Sequence, residues 1–134
     1  MAQIPQYYKE VRILINSLCQ RHQLRSILEV GCGLCDNIKQ YPIEDKTIID
    51  LWYAPKFENV TCIHGNILNY NFDRQFDIVI CLQVLEHIPD IENAIKKIFD
   101  LAKQYVIISL PYKWIIGKQP GHIHDPITNS KLTT

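Results

Sequence analysis

Five short runs of this chain are apolar at almost every position: SILEV (26–30), KTIID (46–50), VTCIH (60–64), FDIVICL (76–82) and YVIISL (105–110). A strand with one wet face alternates apolar and polar residues, whereas a strand covered on both faces does not. Helical or longer stretches separate the runs, which is too much chain for simple hairpins. The pattern predicts parallel strands joined by crossovers, hence a doubly wound α/β sheet with helices on both faces. In such sheets ligands bind beyond the carboxyl ends of the strands, near the point where strand order reverses.

The connecting segments agree with that reading. Residues 4–22 carry Val11, Leu14, Ile15, Leu18, Cys19 and His22 at helical spacing. Residues 36–41 predict a brief helix stopped by Pro42, and 51–59 an irregular connection. Pro89-Asp90 caps a second helix with Glu92 in its first turn. Ile91, Ala94, Ile95, Ile98, Phe99 and Ala102 form its expected apolar stripe, with Lys96, Lys97 and Lys103 on a solvated face. From Pro111 onward the chain is rich in turn formers and reads as a loop. With 134 residues, no repeat and no linker, one domain spanning 1–134 is expected.

Composition narrows the function classes. Fourteen basic and fourteen acidic residues cancel, whereas a chain built to grip phosphate backbones carries a basic excess. No nucleic-acid partner is expected. No run approaches the roughly 18 apolar residues that span a bilayer, so no membrane partner is expected either. MAQIPQYYKE has neither the basic start nor the apolar core of a signal peptide, which points to a cytoplasmic protein. The five cysteines are odd in number and mostly lie in apolar runs, as reduced thiols would. The sequon Asn59-Val60-Thr61 then has no glycan to carry.

Chemistry concentrates at the predicted strand ends. After Val30, Gly31 and Gly33 permit a sharp turn and let a ligand approach the backbone, and amides at a following helix start would face an anion. Asp50 ends the second strand, 21 residues after Glu29, where an acid can accept from both ribose hydroxyls. Glu29 is a carboxylate inside a buried strand, which is costly without a partner. A structural Lys or Arg would satisfy it, and so would a cationic ligand group. Cys32 and Cys35 have zinc-like spacing with His122 and His124 as further ligands, but the pair lies inside the glycine turn. Ser109-Leu110-Pro111-Tyr112 follows the fifth strand, the wrong strand for a base-methylating Pro-Tyr motif.

Together the motifs of residues 26–90 resemble the Rossmann-like, class I S-adenosylmethionine-dependent methyltransferases. The first-strand pattern of that family is matched by Leu28-Glu29-Val30-Gly31-Cys32-Gly33, with Cys35 in place of a third glycine. Adenosylmethionine carries no pyrophosphate, so that departure harms a dinucleotide enzyme more. The resemblance implies a five-stranded, mostly parallel sheet of order 3-2-1-4-5. It also implies cofactor contacts from Glu29, Gly31, Cys32, Gly33, Asp50, Leu51 or Trp52, Asn66, Ile67, Cys81 and Gln83. FDIVICLQVLEHIPD is its most specific part and looks like the small-molecule methyltransferases of the class. The tail, with Trp114 and His122-Ile123-His124-Asp125-Pro126, resembles methyltransferase-domain proteins found near polysaccharide pathways. What this implies is methyl transfer to oxygen or nitrogen of a small-molecule acceptor, a sugar or polysaccharide precursor, with S-adenosylhomocysteine as product. His87, His122 and His124 are then the candidate bases.

The family usually follows the fifth strand with another helix and an antiparallel strand pair, which are not expected in the polar tail ending at Thr134, so either the domain is truncated or its sheet edge is completed by a partner or left open. An open sheet edge invites pairing, so a homodimer or a partner chain is expected to cover it. Two other readings stay open: a non-catalytic adenosylmethionine-binding or scaffold subunit, and a nicotinamide-dependent oxidoreductase.

Overall fold

A computed structural model describes residues 6–110. Helix α1 (Gln6–Arg21) leads into strand β1 (Ser26–Val30). A single 3-10 turn (Asn37–Gln40) precedes β2 (Asp45–Asp50), which is followed by β3 (Val60–His64) and β4 (Phe76–Leu82). A second 3-10 turn (Leu85–His87), helix α2 (Ile91–Leu101) and strand β5 (Ala102–Ser109) complete the described chain. The strands form one sheet in the expected order β3-β2-β1-β4-β5, and every ladder is parallel. Strand order therefore reverses at β1 and β4, where Val30 lies between Ile49 and Cys81. The expectation about a C-terminal strand pair falls on residues outside the described ones.

Alternation along β1 divides the core in two. Ile27 joins Ile48, Ile78 and Ile80 under α1, while Leu28 and Val30 join Ile49 and Val79 under α2. Each fully buried aliphatic side chain contributes about 1.5–3 kcal/mol, so the two layers, more than helix propensity, hold the helices in place. The α1 stripe is Tyr8, Val11 and Ile15 with Leu18 and Cys19 at its edge, and Leu14 turns outward at 46% exposure. In α2 the buried positions are Ala94, Ile98 and Leu101. Phe99, expected on the stripe, is 58% exposed. Ala102 is the first residue of β5, which starts three residues before the apolar run suggests. Both shifts have one cause: α2 runs straight into β5 without a loop, so Leu101 takes the last inward place.

The crossovers flanking β3 contain no helix. The segment after β3 is held by other means. Asn66 Oδ1 accepts from the Leu68 amide at 2.9 Å, and Tyr70 and Phe72 pack edge-on toward Phe76. Lys97, expected on a solvated face, donates from Nζ to the Tyr70 carbonyl at 2.7 Å and straps this segment to α2. The cysteines at 19, 32, 35, 62 and 81 are all free thiols, with only Cys32 and Cys81 buried. No described helix is long and apolar enough to cross a membrane.

Candidate cofactor cleft

A cavity of about 670 Å³ opens beyond the carboxyl ends of β1, β2 and β4. Its floor is the glycine turn. Gly31 and Gly33 both adopt left-handed backbone, with φ of 73° and 61°. A Cβ on Gly31 would stand 2.6 Å from Val84 Cγ2, so no side chain fits there, whereas Gly33 has open space above it. The residue before Val84 is unusual. Gln83 has φ 58°, a conformation that is costly for a non-glycine residue and persists only where surroundings enforce it. Its amide donates to the Ser109 carbonyl at 2.7 Å, and its side-chain Nε2 donates to Ser109 Oγ at 2.7 Å. The ends of β4 and β5 are thus clamped together below the cleft.

Asp50 ends β2 almost fully buried and lines the cavity. Its Oδ2 accepts from the Gly33 amide at 2.8 Å, and its Oδ1 accepts from the amides of Trp52 and Tyr53, each at 2.9 Å. A carboxylate offers about four acceptor positions, so three backbone amides leave room for one hydroxyl without breaking a bond. The Gly31 amide donates to the Ile49 carbonyl at 2.7 Å. The two glycine amides therefore serve the protein and do not face an anion. Nor does a helix begin here, since the 3-10 turn is only four residues long. The expected anion cradle gives way to a turn whose use is close approach.

Of the other expected site residues, Cys32, Leu51, Trp52, Asn66, Ile67, Gln83 and His87 all line the cavity. Trp52 is 79% exposed and stands at its rim. Glu29 and Cys81 do not line it. Cys81 points into the α2 core and is fully buried, which pushes its thiol well above the usual range. Glu29 lies beneath the turn with 1% exposure. Burial, and secondarily the Asp50 charge, pushes its carboxyl up to about 8. Burial, then Glu29 and Asp50, pushes the Cys32 thiol up to about 12. Among the described residues no Lys or Arg pairs with Glu29, and its Oε1 has no hydrogen-bond partner. His87 Nε2 lies 3.5 Å from Glu86 Oε1, on a buried carboxylate. His122 and His124 fall outside the described residues.

Tyr8 was not expected in the site, yet it lines the cavity from the first turns of α1. Its position in a helical apolar stripe carries no signal of a cleft more than twenty residues away in the chain. Among the described lining residues there is no Lys or Arg, and Asp50 is the one carboxylate. A pyrophosphate would find no cation here. A nucleoside bearing positive charge fits: Gly33 leaves open space for close approach, one acceptor position on Asp50 is spare, and the carboxyl group of Glu29 lies under the floor.

Fold and cleft together define an α/β domain with a cleft at its topological switch point, the place where such sheets take nucleotide-like ligands. The chain matches the Methyltransferase domain family over residues 28–109 and belongs to it, among the Rossmann-like, class I S-adenosylmethionine-dependent methyltransferases. It is 28% identical, over 126 aligned positions, to a ubiquinone biosynthesis O-methyltransferase of Rickettsia bellii, covering 74% of this chain and 52% of that protein. The chain thus spans about half the length of the curated relatives it matches. Among solved structures, a sugar N-methyltransferase of a Streptoalloteichus species superposes with a TM-score of 0.65 at 19% identity, over 90% of this chain and 51% of that one. An amino pentose methyltransferase of Micromonospora echinaspora, solved with S-adenosylmethionine bound, gives 0.64 at 13% identity over 86% and 54%. At these identities the superpositions speak to the fold.

Proposed function

We propose that residues 1–134 form one S-adenosylmethionine-binding domain that transfers a methyl group to oxygen or nitrogen of a small molecule, a sugar or polysaccharide precursor. The carrying observation is the charge of the cleft: its described lining holds one carboxylate, Asp50, and no Lys or Arg. The named relatives support the reading from two sides, one being an O-methyltransferase and another a sugar N-methyltransferase. When bound, the cofactor supplies a methyl group on a positively charged sulfur. The protein's own part is to bind and to align, which is worth on the order of 7–11 kcal/mol for a well-oriented pair. Asp50 keeps the turn at Gly33 closed and offers its spare acceptor position to the ribose. Leu51, Trp52, Asn66 and Ile67 provide the adenine's surroundings. Gly31, Cys32, Gly33 and Gln83 enclose the amino-acid end.

His87 is the described residue suited to take a proton from an acceptor hydroxyl, with the neighbouring Glu86 carboxylate offsetting the charge that develops on the imidazole. His122 and His124 remain candidates for the same task. Calorimetric titration with S-adenosylmethionine, S-adenosylhomocysteine and NAD tests the cofactor: binding of the first two and not the third is expected, and the reverse overturns the reading. Methyl transfer from labelled cofactor into a pool of sugars and sugar nucleotides tests catalysis. Binding without any transfer would leave a cofactor-binding subunit instead.

A further inference from the structure

Glu29 is the strangest group in the fold. In the parallel register it lies between Ile48 of β2 and Ile80 of β4, both fully buried, on the α1 side of the sheet. That places a carboxyl in a row of isoleucines, one strand position before the turn that floors the cleft. Burial and the Asp50 charge act on it, and no described cation forms an ion pair with it. Asp50 closes β2 and Cys32 sits in the turn. Tyr41 lies beyond the 3-10 turn, its hydroxyl accepting from Asn37 Nδ2 at 3.1 Å and its acidity weakened first by burial and then by Glu29. Cys81 on β4 feels both Glu86 and Glu29. Of the three α1 cations, Lys9, Arg12 and Arg21, Arg12 is felt at Tyr41 and donates to Gln40. A charged carboxylate at this place faces another carboxylate, and no cation among the described residues pairs with it. Such a group sheds its charge by holding a proton.

We propose that Glu29 is a proton-exchanging counter-ion: it is a neutral acid while no cation occupies the cleft, and it gives its proton to solvent when a positively charged nucleoside seats above the glycine turn. The step is one O–H bond broken, one carboxylate formed and one proton passed to buffer. The inference rests on the cofactor reading above, since the ligand must carry the positive charge. It goes further by making capture of that ligand pH-dependent, with Asp50 supplying hydrogen bonds and Glu29 supplying charge. Without a ligand, burial and the Asp50 charge push the carboxyl up to about 8. The ligand holds it ionised at lower pH, so affinity rises with pH by up to about tenfold per unit below pH 8.

The test is calorimetry of the whole chain with S-adenosylmethionine and S-adenosylhomocysteine between pH 5.5 and 7.5, in buffers of different ionisation enthalpy, which counts protons released. Wild type should release most of one proton per S-adenosylmethionine at neutral pH. Glu29→Gln, which keeps the shape and removes the titrating proton, should bind with none released and with a flat pH profile. The ligand's own amine titrates alike in both proteins and cancels. Binding by wild type without proton release, or equal release by Glu29→Gln, overturns this inference and leaves the cofactor reading intact. Failure of both ligands to bind overturns both. Should Glu29→Gln not fold, infrared difference spectra of wild type decide: the protonated-carboxyl band must vanish on ligand addition, and its persistence overturns the inference.

Discussion

The carboxylate of Asp50 reaches across from β2 to hold the amide of Gly33 at 2.8 Å, so the glycine turn is tied to the neighbouring strand and not only to its own. The same side chain also gathers the amides of Trp52 and Tyr53. Hydrogen bonds to a charged acceptor are worth about 1.5–3 kcal/mol each. Asp50→Ala removes all three, but the amides of the exposed Trp52 and Tyr53 can turn to water, so stability to chemical denaturation should fall by about 2–4 kcal/mol. Asp50→Asn turns one N–H toward an N–H and should fall between wild type and alanine. Both should weaken S-adenosylhomocysteine binding in calorimetry by tenfold or more, by about 1.4 kcal/mol at least.

The two glycines of the turn should respond differently to alanine. Gly33→Ala meets no neighbour and carries only the left-handed backbone cost, about 1–2 kcal/mol. Gly31→Ala carries the same cost and also drives a methyl group against Val84, which adds about 1–3 kcal/mol of overpacking. Val84→Ala removes the two atoms that clash. In a double-mutant cycle it should therefore rescue the steric part of Gly31→Ala and none of Gly33→Ala. Equal losses for the two glycines would refute the packing of Val84 beneath Gly31.

How far the sequence disclosed this depended on what kind of signal each feature leaves. Phe76–Leu82 was legible to the residue because a strand buried on both faces is a continuous apolar run with clear ends. The glycine turn and Asp50 were legible as a pair. Asp50 also gathers amides two and three residues on, an Asx turn, a role that the expectation of a ribose acceptor did not include. Asn66 makes the same kind of turn with Leu68. Nothing in the chain announces that Gln83 takes up a left-handed backbone, because no local preference favours it. The Ser109 clamp that enforces it is a contact between strand ends 26 residues apart. Tyr8 was hidden for the same reason: a core-like position in a helical stripe turned out to border the cleft.

That clamp yields its own prediction. Ser109→Ala removes the acceptor of the Gln83 side-chain amide but spares the backbone bond, at a stability cost of about 1 kcal/mol. Gln83→Gly also loses the side-chain bond but relieves the backbone conformation, so its stability should be closer to wild type. If the clamp's task is to seat Val84 under the turn, both variants should lose affinity for S-adenosylhomocysteine by more than their stability loss suggests. Thermal unfolding and calorimetry on the same preparations compare the two quantities directly.

Glu29 predicts how stability of the ligand-free protein varies with pH. Its folded-state value is raised from 4.5 to about 8. An acid raised in this way holds its proton in the folded state after the unfolded chain has lost it. Its contribution is therefore fully present below about 4.5 and declines as pH rises toward about 8, at up to about 1.4 kcal/mol per unit. This runs opposite to the usual carboxylate, whose pairing makes proteins sturdier as acid is removed. Glu29→Gln cannot ionise, so it should gain on wild type steadily as pH climbs from 5 toward 8, measured by urea unfolding without ligand. The gap should stop widening above about pH 8. A difference between the two proteins that does not change with pH would mean that Glu29 is ionised in the folded state throughout, with a compensating partner, and would remove the reason for it to exchange a proton at all.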